Sequence, residues 1–324
     1  MMLNMVQALN QAMRQEMESD PRVLVLGEDI GVDGGVFRLT EGLLEKFGPE
    51  RVIDTPLAES TIVGASIGIA AAGLRPIAEI QFMGFIYLAM NQIIAHAARL
   101  RNRSRGRFTV PLVIRMPYGA GVKALEHHSE STEALFCQIP GLKVVVPSTP
   151  YDAKGLLVAS IRDDDPVIFL EPTRLYRAGR QEVPDEPYEV PLGKAKTVRE
   201  GEGVTIVAWG AMIPVVEQAA ELAGKGGIFP EVLDLRTLAP LDRETVLESV
   251  RRTGRLLIVH EAPKTCGLGA EIAAFVAERA MFHLEAPVLR LTGPDITVPL
   301  AKGEDYYYPS PERVVRGIKK IMET

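Results

Sequence analysis

Short apolar runs along the chain alternate with segments in which apolar residues recur every three or four positions. The first such segment, residues 4–19, places Met5, Leu9, Met13 and Met17 on one side of a helix. Apolar runs such as VLVL, PIAEI and VIFL follow, each bounded by helical patterns. Short apolar strands separated by helices predict an α/β fold with mainly parallel sheets flanked by helices.

The alternation of strands and helices is interrupted between Pro166 and Pro191, a segment with five prolines and few periodic apolar positions. It resumes afterwards. We therefore predict two domains, residues 1–175 and 196–324, joined by a linker over residues 176–195. A length of 324 residues agrees with two domains.

Two predicted helices have unusual compositions. Residues 61–73 are nearly all small or apolar, which allows another backbone to approach closely, either a partner subunit or the same domain. Residues 84–103 read as one long helix that ends in a cluster of arginines. Glu59 stands just before the small-residue helix, where it serves either as a helix cap or as a functional carboxylate.

The composition indicates which classes of partner the protein could bind and which cellular compartment it suits. The net charge is −6 and no long basic run occurs, so we expect no nucleic-acid partner. Cys137 and Cys266 form no metal-type or CxxC spacing, which favours a reducing cytoplasm. The longest apolar run, residues 62–74, is too short and glycine-rich for a membrane span, and the N-terminal residues lack a signal-peptide pattern.

The usual nucleotide fingerprints are missing, since neither GxGxxG after a strand nor GxxxxGK[ST] occurs. His127, His128 and Glu130 are neighbours, but no third spaced ligand follows, so a metal site there is disfavoured. Glu28, Glu59 and His128 each follow a predicted strand. Because parallel sheets bind ligands at the carboxyl edge of their strands, these three side chains are the candidate site.

A series of motifs identifies a known family. In order along the chain, from residue 27 to beyond residue 260, they are GEDIG, GGVFRLTEGL, DTPLAES, PIAEIQF, HHSES, PGLKVVVPSTPYDAKGLL, VTIVAWG, LDLRTLAPLD and GRLLIVHEAP. Together they resemble the beta subunit of the thiamine-diphosphate-dependent component of 2-oxo acid dehydrogenase complexes. The sequences of these motifs are more similar to those of the branched-chain type, although bacterial pyruvate types share many of them.

The resemblance implies a transketolase-like pyrimidine-binding domain followed by a C-terminal domain. It also implies oxidative decarboxylation of a 2-oxo acid, with transfer of the acyl group to lipoamide on an acyltransferase core. Alternatives are a pyruvate- or acetoin-specific homologue, or a subunit that is mainly structural. By this resemblance, Glu59 hydrogen-bonds the pyrimidine ring of thiamine diphosphate, and Leu57 and Phe85 pack on that ring.

The resemblance assigns roles to further residues. His128 matches the family histidine that orients substrate and donates a proton, with His127 as its rival. Glu28 resembles an acid that lines a tunnel between two active sites, and Asn91 stands where an aspartate is common.

The resemblance also predicts partners and metals. Relatives bind Mg²⁺ and the diphosphate through a GDG segment and a downstream asparagine, which this chain lacks. An alpha subunit is therefore expected to supply them in an α2β2 heterotetramer. Some relatives hold K⁺, and the matching positions here are Leu112, Ser160, Asp163 and Asp165, the last of which replaces an asparagine.

Overall fold

Fourteen strands form three sheets in the computed structural model, which describes residues 1–324. In chain order the strands are β1 (Met2–Leu3), β2 (Val23–Gly27), β3 (Val52–Asp54), β4 (Arg75–Glu79), β5 (Val113–Tyr118), β6 (Lys143–Val145), β7 (Val167–Pro172), β8 (Gln181–Glu182), β9 (Lys196–Arg199), β10 (Thr205–Ala208), β11 (Glu231–Asp234), β12 (Thr237–Ala239), β13 (Leu256–Pro263) and β14 (Leu289–Gly293).

Twelve α-helices surround the sheets. They are α1 (Met5–Ser19), α2 (Leu43–Phe47), α3 (Glu59–Ala71), α4 (Met90–Gln92), α5 (Leu100–Arg103), α6 (Glu133–Cys137), α7 (Pro150–Arg162), α8 (Met212–Gly224), α9 (Arg243–Thr253), α10 (Leu268–Ala280), α11 (Glu304–Tyr307) and α12 (Pro311–Met322). None of them combines the length and the apolar composition needed to cross a bilayer.

The larger sheet has the strand order β12-β6-β7-β5-β4-β2-β3, and every pairing is parallel except β12 with β6. The smaller sheet has the order β14-β13-β10-β11-β9, with only β9 antiparallel. The predicted fold class, two mainly parallel sheets flanked by helices, is confirmed. Such sheets are buried on both faces, which is why their strands read as continuous apolar runs.

The boundary between the two halves of the chain is crossed by several contacts. Strand β12 belongs to the second half but joins the sheet of the first half. Residues 176–195 lie against the first half, where the ammonium group of Lys154 donates to the backbone oxygens of Pro184 and Glu186. The limits 1–175, 176–195 and 196–324 stay a prediction.

The region predicted as one helix over residues 84–103 is broken, and this prediction is wrong. A 3-10 helix (Met83–Ala89) precedes α4, and a π-helical turn (Ile93–Ala97) precedes α5. Packing explains the break, because the 3-10 helix contacts both α3 and the loop that carries the two histidines. Tertiary contacts of this kind override local helix propensity.

The interface between the two halves buries two carboxyl groups. Glu133 on α6 is fully buried, and Glu261 at the end of β13 is 2% exposed. Neither carboxyl group has a hydrogen-bond partner of normal geometry, although Arg174 approaches Glu261 at 3.6 Å. Burial raises the pKa of both groups to about 7. Between pH 4.5 and about 7, both carboxyl groups therefore keep protons in the folded chain that they would release in the unfolded chain.

Replacing Glu133 with glutamine should stabilise the isolated chain at pH 8 by about 3 kcal/mol. A carboxyl group whose folded pKa lies above its ordinary value favours folding at low pH, and this contribution is lost as pH rises from 4.5 through about 7. Urea unfolding midpoints at pH 5 and pH 8 measure the effect. The control is Glu278→Gln on the exposed side of α10. An equal gain at both pH values would contradict the assigned pKa.

Candidate active site

Four neighbouring strands of the larger sheet bring the candidate residues to one edge. Strands β5, β4, β2 and β3 are adjacent and parallel, so their carboxyl ends face the same way. Glu28 follows β2, Glu59 follows β3, Phe85 follows β4, and His128 follows β5. The arrangement is the expected ligand-binding edge of a parallel sheet.

The carboxyl group of Glu59 is buried at this edge. Glu59 is the first residue of α3 and is 6% exposed. Its buried Oε2 has no hydrogen-bond partner, and the helix has no side-chain cap. The interpretation of Glu59 as a helix cap therefore finds no supporting contact. A buried oxygen without a partner in the chain is free to accept a hydrogen bond from a ligand or a water molecule.

Glu28 lies close enough to Glu59 for their charges to interact. Burial raises the pKa of Glu28 above its ordinary value, and the carboxylates of Asp29 and Glu59 raise it further. Two acids that repel each other favour a ligand able to donate hydrogen bonds or to carry positive charge.

His128 lies within a small aromatic cluster. Its ring meets Phe82 edge-on at a centroid distance of 4.5 Å and Phe85 at 5.3 Å. His127 lies 4.7 Å from it, on the more exposed side. The Nδ1 atom of His128 is buried without a partner. Between the two histidines, the geometry favours His128 because the aromatic rings fix its orientation.

Two residues at the start of the 3-10 helix complete this arrangement, and neither carries a functional signal in the sequence. Phe82 ends the PIAEIQF motif and is 8% exposed, so its ring reads as ordinary core. Gly84 touches the histidine loop, where a Cβ would overlap the backbone oxygen of His127. A spacing pattern cannot show that contact, because it joins residues more than 40 positions apart.

The remaining predicted positions differ in exposure. Leu57 is 68% exposed, which is unusual for a large apolar side chain beside a polar site. Phe85 is half-buried and meets both histidine rings. Asn91 is exposed at the surface. The apolar surface at Leu57 is therefore available to a ligand or to another subunit.

The predicted potassium position is crowded by cationic side chains. Asp163 pairs with Lys143 at 2.5 Å, and Asp165 pairs with Arg101 at 2.6 Å. The hydroxyl group of Ser160 donates to a backbone oxygen of its own helix, and the backbone oxygen of Leu112 accepts from a backbone amide of β7. A potassium ion there would compete with these pairs, and its binding stays a prediction without a supporting contact.

Comparison with known proteins assigns the chain to a family. Residues 1–179 match the transketolase pyrimidine-binding domain, and residues 193–314 match the transketolase C-terminal domain. The pyruvate dehydrogenase E1 component subunit beta of Acholeplasma laidlawii is 57% identical over 99% of this chain and 98% of its own length. The chain belongs to the E1 beta-subunit family of 2-oxo acid dehydrogenases. The family predicted from the motifs is confirmed.

Relatives in this beta-subunit family are named for more than one 2-oxo acid. In Bacillus subtilis (strain 168), the pyruvate dehydrogenase beta subunit is 50% identical to this chain, covering 99% of both. The 2-oxoisovalerate dehydrogenase beta subunit of the same organism is 49% identical, again over 99% of both. Overall identity therefore does not separate the two substrate classes.

Solved structures agree on the fold. A split-gene transketolase, described as an inactive beta4 tetramer, superposes with a TM-score of 0.81 over 99% of this chain and 98% of that chain, at 24% identity. A transketolase mutant from Pichia stipitis gives a TM-score of 0.72 over 99% of this chain and 46% of its own, at 15% identity. At these identities the similarity establishes the transketolase-like fold alone.

The residues at the sheet edge fit one half of a cofactor. Members of this transketolase-like family depend on thiamine diphosphate. The unpaired oxygen of Glu59 suits a pyrimidine nitrogen, and the apolar surfaces of Leu57 and Phe85 suit a flat ring. The chain has no group of three or more His, Cys, Asp or Glu side chains that could hold a metal ion. The carboxylate and apolar surfaces at this edge therefore fit the pyrimidine half of the cofactor.

Gly84→Ala should destabilise the isolated chain by about 1–3 kcal/mol, because the added methyl group displaces the histidine loop. Gly68→Ala in α3 is the matched control. A Cβ there meets nothing within 4 Å, so it should stabilise the chain by about 1 kcal/mol. Urea unfolding measures both effects. A Gly84→Ala chain as stable as the parent would contradict the close contact with His127.

Proposed function

We propose that this subunit works with an alpha subunit to decarboxylate a 2-oxo acid oxidatively and to pass the acyl group to lipoamide on an acyltransferase core. The observation that carries the proposal is the buried, unpaired carboxylate oxygen of Glu59 at the sheet edge that also holds His128. Thiamine diphosphate supplies, when bound, the nucleophilic carbon and the electron sink that this decarboxylation requires.

Glu59 would accept a hydrogen bond from the pyrimidine ring and keep a proton at the ring nitrogen. Its burial supports this role, because a hydrogen bond to a carboxylate is stronger where water is excluded. Leu57 and Phe85 would hold the ring in place through apolar contact. Glu28, whose charge interacts with that of Glu59, would add negative charge to the same region.

His128 would orient the substrate and donate a proton while the acyl group moves to the lipoyl disulfide. Imidazole suits this task because it gives and takes protons near neutral pH. The rings of Phe82 and Phe85 limit its rotation, which keeps the donor atom in one place. Positioned proton donors of this kind contribute roughly 10²–10⁴-fold to rate.

The alpha subunit would bind Mg²⁺ and the diphosphate, in an α2β2 heterotetramer in which each site is shared. Two features of this chain support a partner at the site. Leu57 leaves 68% of its surface exposed. The outer side of α3 is also exposed, and its exposed residues Thr61, Ala65 and Gly68 are small. A close-packed subunit contact needs side chains of that size.

We propose a branched-chain 2-oxo acid as the substrate, because the sequences of motifs such as AEIQF resemble those of the branched-chain type. Pyruvate is the second candidate, because relatives with 50% and 57% identity carry pyruvate dehydrogenase names. A purely structural subunit is disfavoured, since it would have no use for the buried carboxyl group of Glu59. The cytoplasmic location rests on cysteine usage alone and stays a prediction.

Glu59→Gln should fold as the parent does and lose most of its turnover, about 10²-fold or more, because an amide cannot hold the ring proton as a carboxylate does. The assay measures 2-oxo acid oxidation by the variant and the parent, each assembled with the same alpha subunit, on pyruvate and 2-oxoisovalerate. Glu278→Gln on the exposed side of α10 is the control. Retention of more than half the parent activity would refute the role of Glu59.

A further inference from the structure

The loop that carries the two histidines, residues 119–132, contains little regular structure of its own. Its only helical element is the 3-10 turn Glu126–His128. The loop closes at its base, where the Gly119 amide donates to the Glu130 backbone oxygen at 2.9 Å. Apart from the hydrogen bonds of that turn, the segment between these ends is held by contacts with other parts of the chain.

One buried carboxyl group from the second half of the chain binds this loop at two points. Glu304, the first residue of α11, is 3% exposed. Its Oε1 accepts from the backbone amide of Gly121 at 3.0 Å, and its Oε2 accepts from the hydroxyl group of Ser129 at 3.2 Å. A single side chain therefore spans the segment that contains His127 and His128.

A second side chain from the same region reinforces this attachment. The hydroxyl group of Tyr308, which is 4% exposed, donates to the backbone oxygen of Ser129 at 3.0 Å. Ser129 is itself 1% exposed and directly follows His128. Hydrogen bonds to a buried carboxylate are stronger than neutral ones, so Glu304 makes the stronger of the two contacts.

The opposite side of the loop rests on the first half of the chain. Gly84 packs against the His127 backbone, and Phe82 and Phe85 pack against the His128 ring. The 3-10 helix also holds the end of the loop beyond Ser129, where the Tyr87 hydroxyl group donates to the Glu130 carboxylate. Glu304 and Tyr308 add contacts to Gly121 and Ser129 from the other side.

We propose that Glu304 and Tyr308 are positioning residues for His128, acting through Ser129 and Gly121. The second half of the chain thus contributes to the site although none of its side chains has been assigned there. The effect on catalysis rests on the proposed function, whereas the effect on the loop does not.

The first experiment tests the loop without any need for activity. Hydrogen–deuterium exchange over residues 119–132 and the rate of His128 acylation by diethylpyrocarbonate are measured on the full chain and on Glu304→Ala. Both should rise, with exchange of the Gly121 amide faster by about tenfold, since one charge-assisted hydrogen bond is lost. Unchanged exchange and unchanged His128 reactivity would overturn the proposal.

Two further variants separate positioning from general destabilisation. Glu304→Gln keeps an oxygen that accepts from Gly121 and an amide that donates to the Ser129 hydroxyl group, so it should behave nearly as the parent. Asp305→Ala removes only an exposed pair with Lys123, on the same helix and the same loop, and should leave both readouts unchanged. Loosening by Asp305→Ala equal to that by Glu304→Ala would count against a specific role.

If Glu304→Ala does not fold, Tyr308→Phe tests the same attachment by removing one hydroxyl group. It should raise exchange around Ser129 by a smaller factor than Glu304→Ala would. An exchange rate identical to that of the parent would then overturn the proposal.

The catalytic consequence is tested by a double-mutant cycle in the assembled enzyme. Glu304→Ala should lower kcat for acyl transfer to lipoamide by about tenfold, corresponding to about 1.4 kcal/mol. In a His128→Ala background it should cost little more, because a residue that acts through His128 has nothing left to position. Equal losses in both backgrounds would show a merely structural role. An inactive parent enzyme would refute the proposed function, while the exchange and acylation results would still decide the proposal.

Discussion

Burying a carboxylate oxygen without a hydrogen-bond partner costs about 1–3 kcal/mol or more. Glu59 carries this cost at Oε2 in the first turn of α3, where the helix dipole offsets part of it. The surrounding structure maintains the burial, because α3 packs against β4 and the 3-10 helix. A hydrogen bond from the proposed cofactor would compensate for the rest of the cost.

The loop of residues 119–132 depends on contacts from both halves of the chain. Its histidines lie between the aromatic rings of one half of the chain and the carboxyl group of Glu304 from the other. A site assembled from both halves is sensitive to how they pack. The buried acids Glu133 and Glu261 lie at that interface, and their raised pKa values link its stability to pH.

Much of the fold was predictable from the sequence because a parallel sheet buried on both faces leaves a strong local signal. The apolar runs VLVL, PIAEI and VIFL form β2, β4 and β7, as expected. Short elements escaped prediction, since the three residues of β12 carry no periodic pattern and pair only through long-range contacts. Glu59 and His128 were found through motifs at strand ends. Glu304 was not, because it contacts Ser129 across 175 positions and resembles an ordinary surface acid in sequence.

The central claim is that this chain supplies only the pyrimidine half of a shared site. Calorimetric titration of thiamine diphosphate in the presence of Mg²⁺ tests it most directly, on the chain alone and on the chain assembled with its alpha subunit. We expect tight, Mg²⁺-dependent binding by the assembly and none of comparable affinity by the chain alone. Tight Mg²⁺-dependent binding by the isolated chain would contradict this claim, because it would require a diphosphate site within the chain itself.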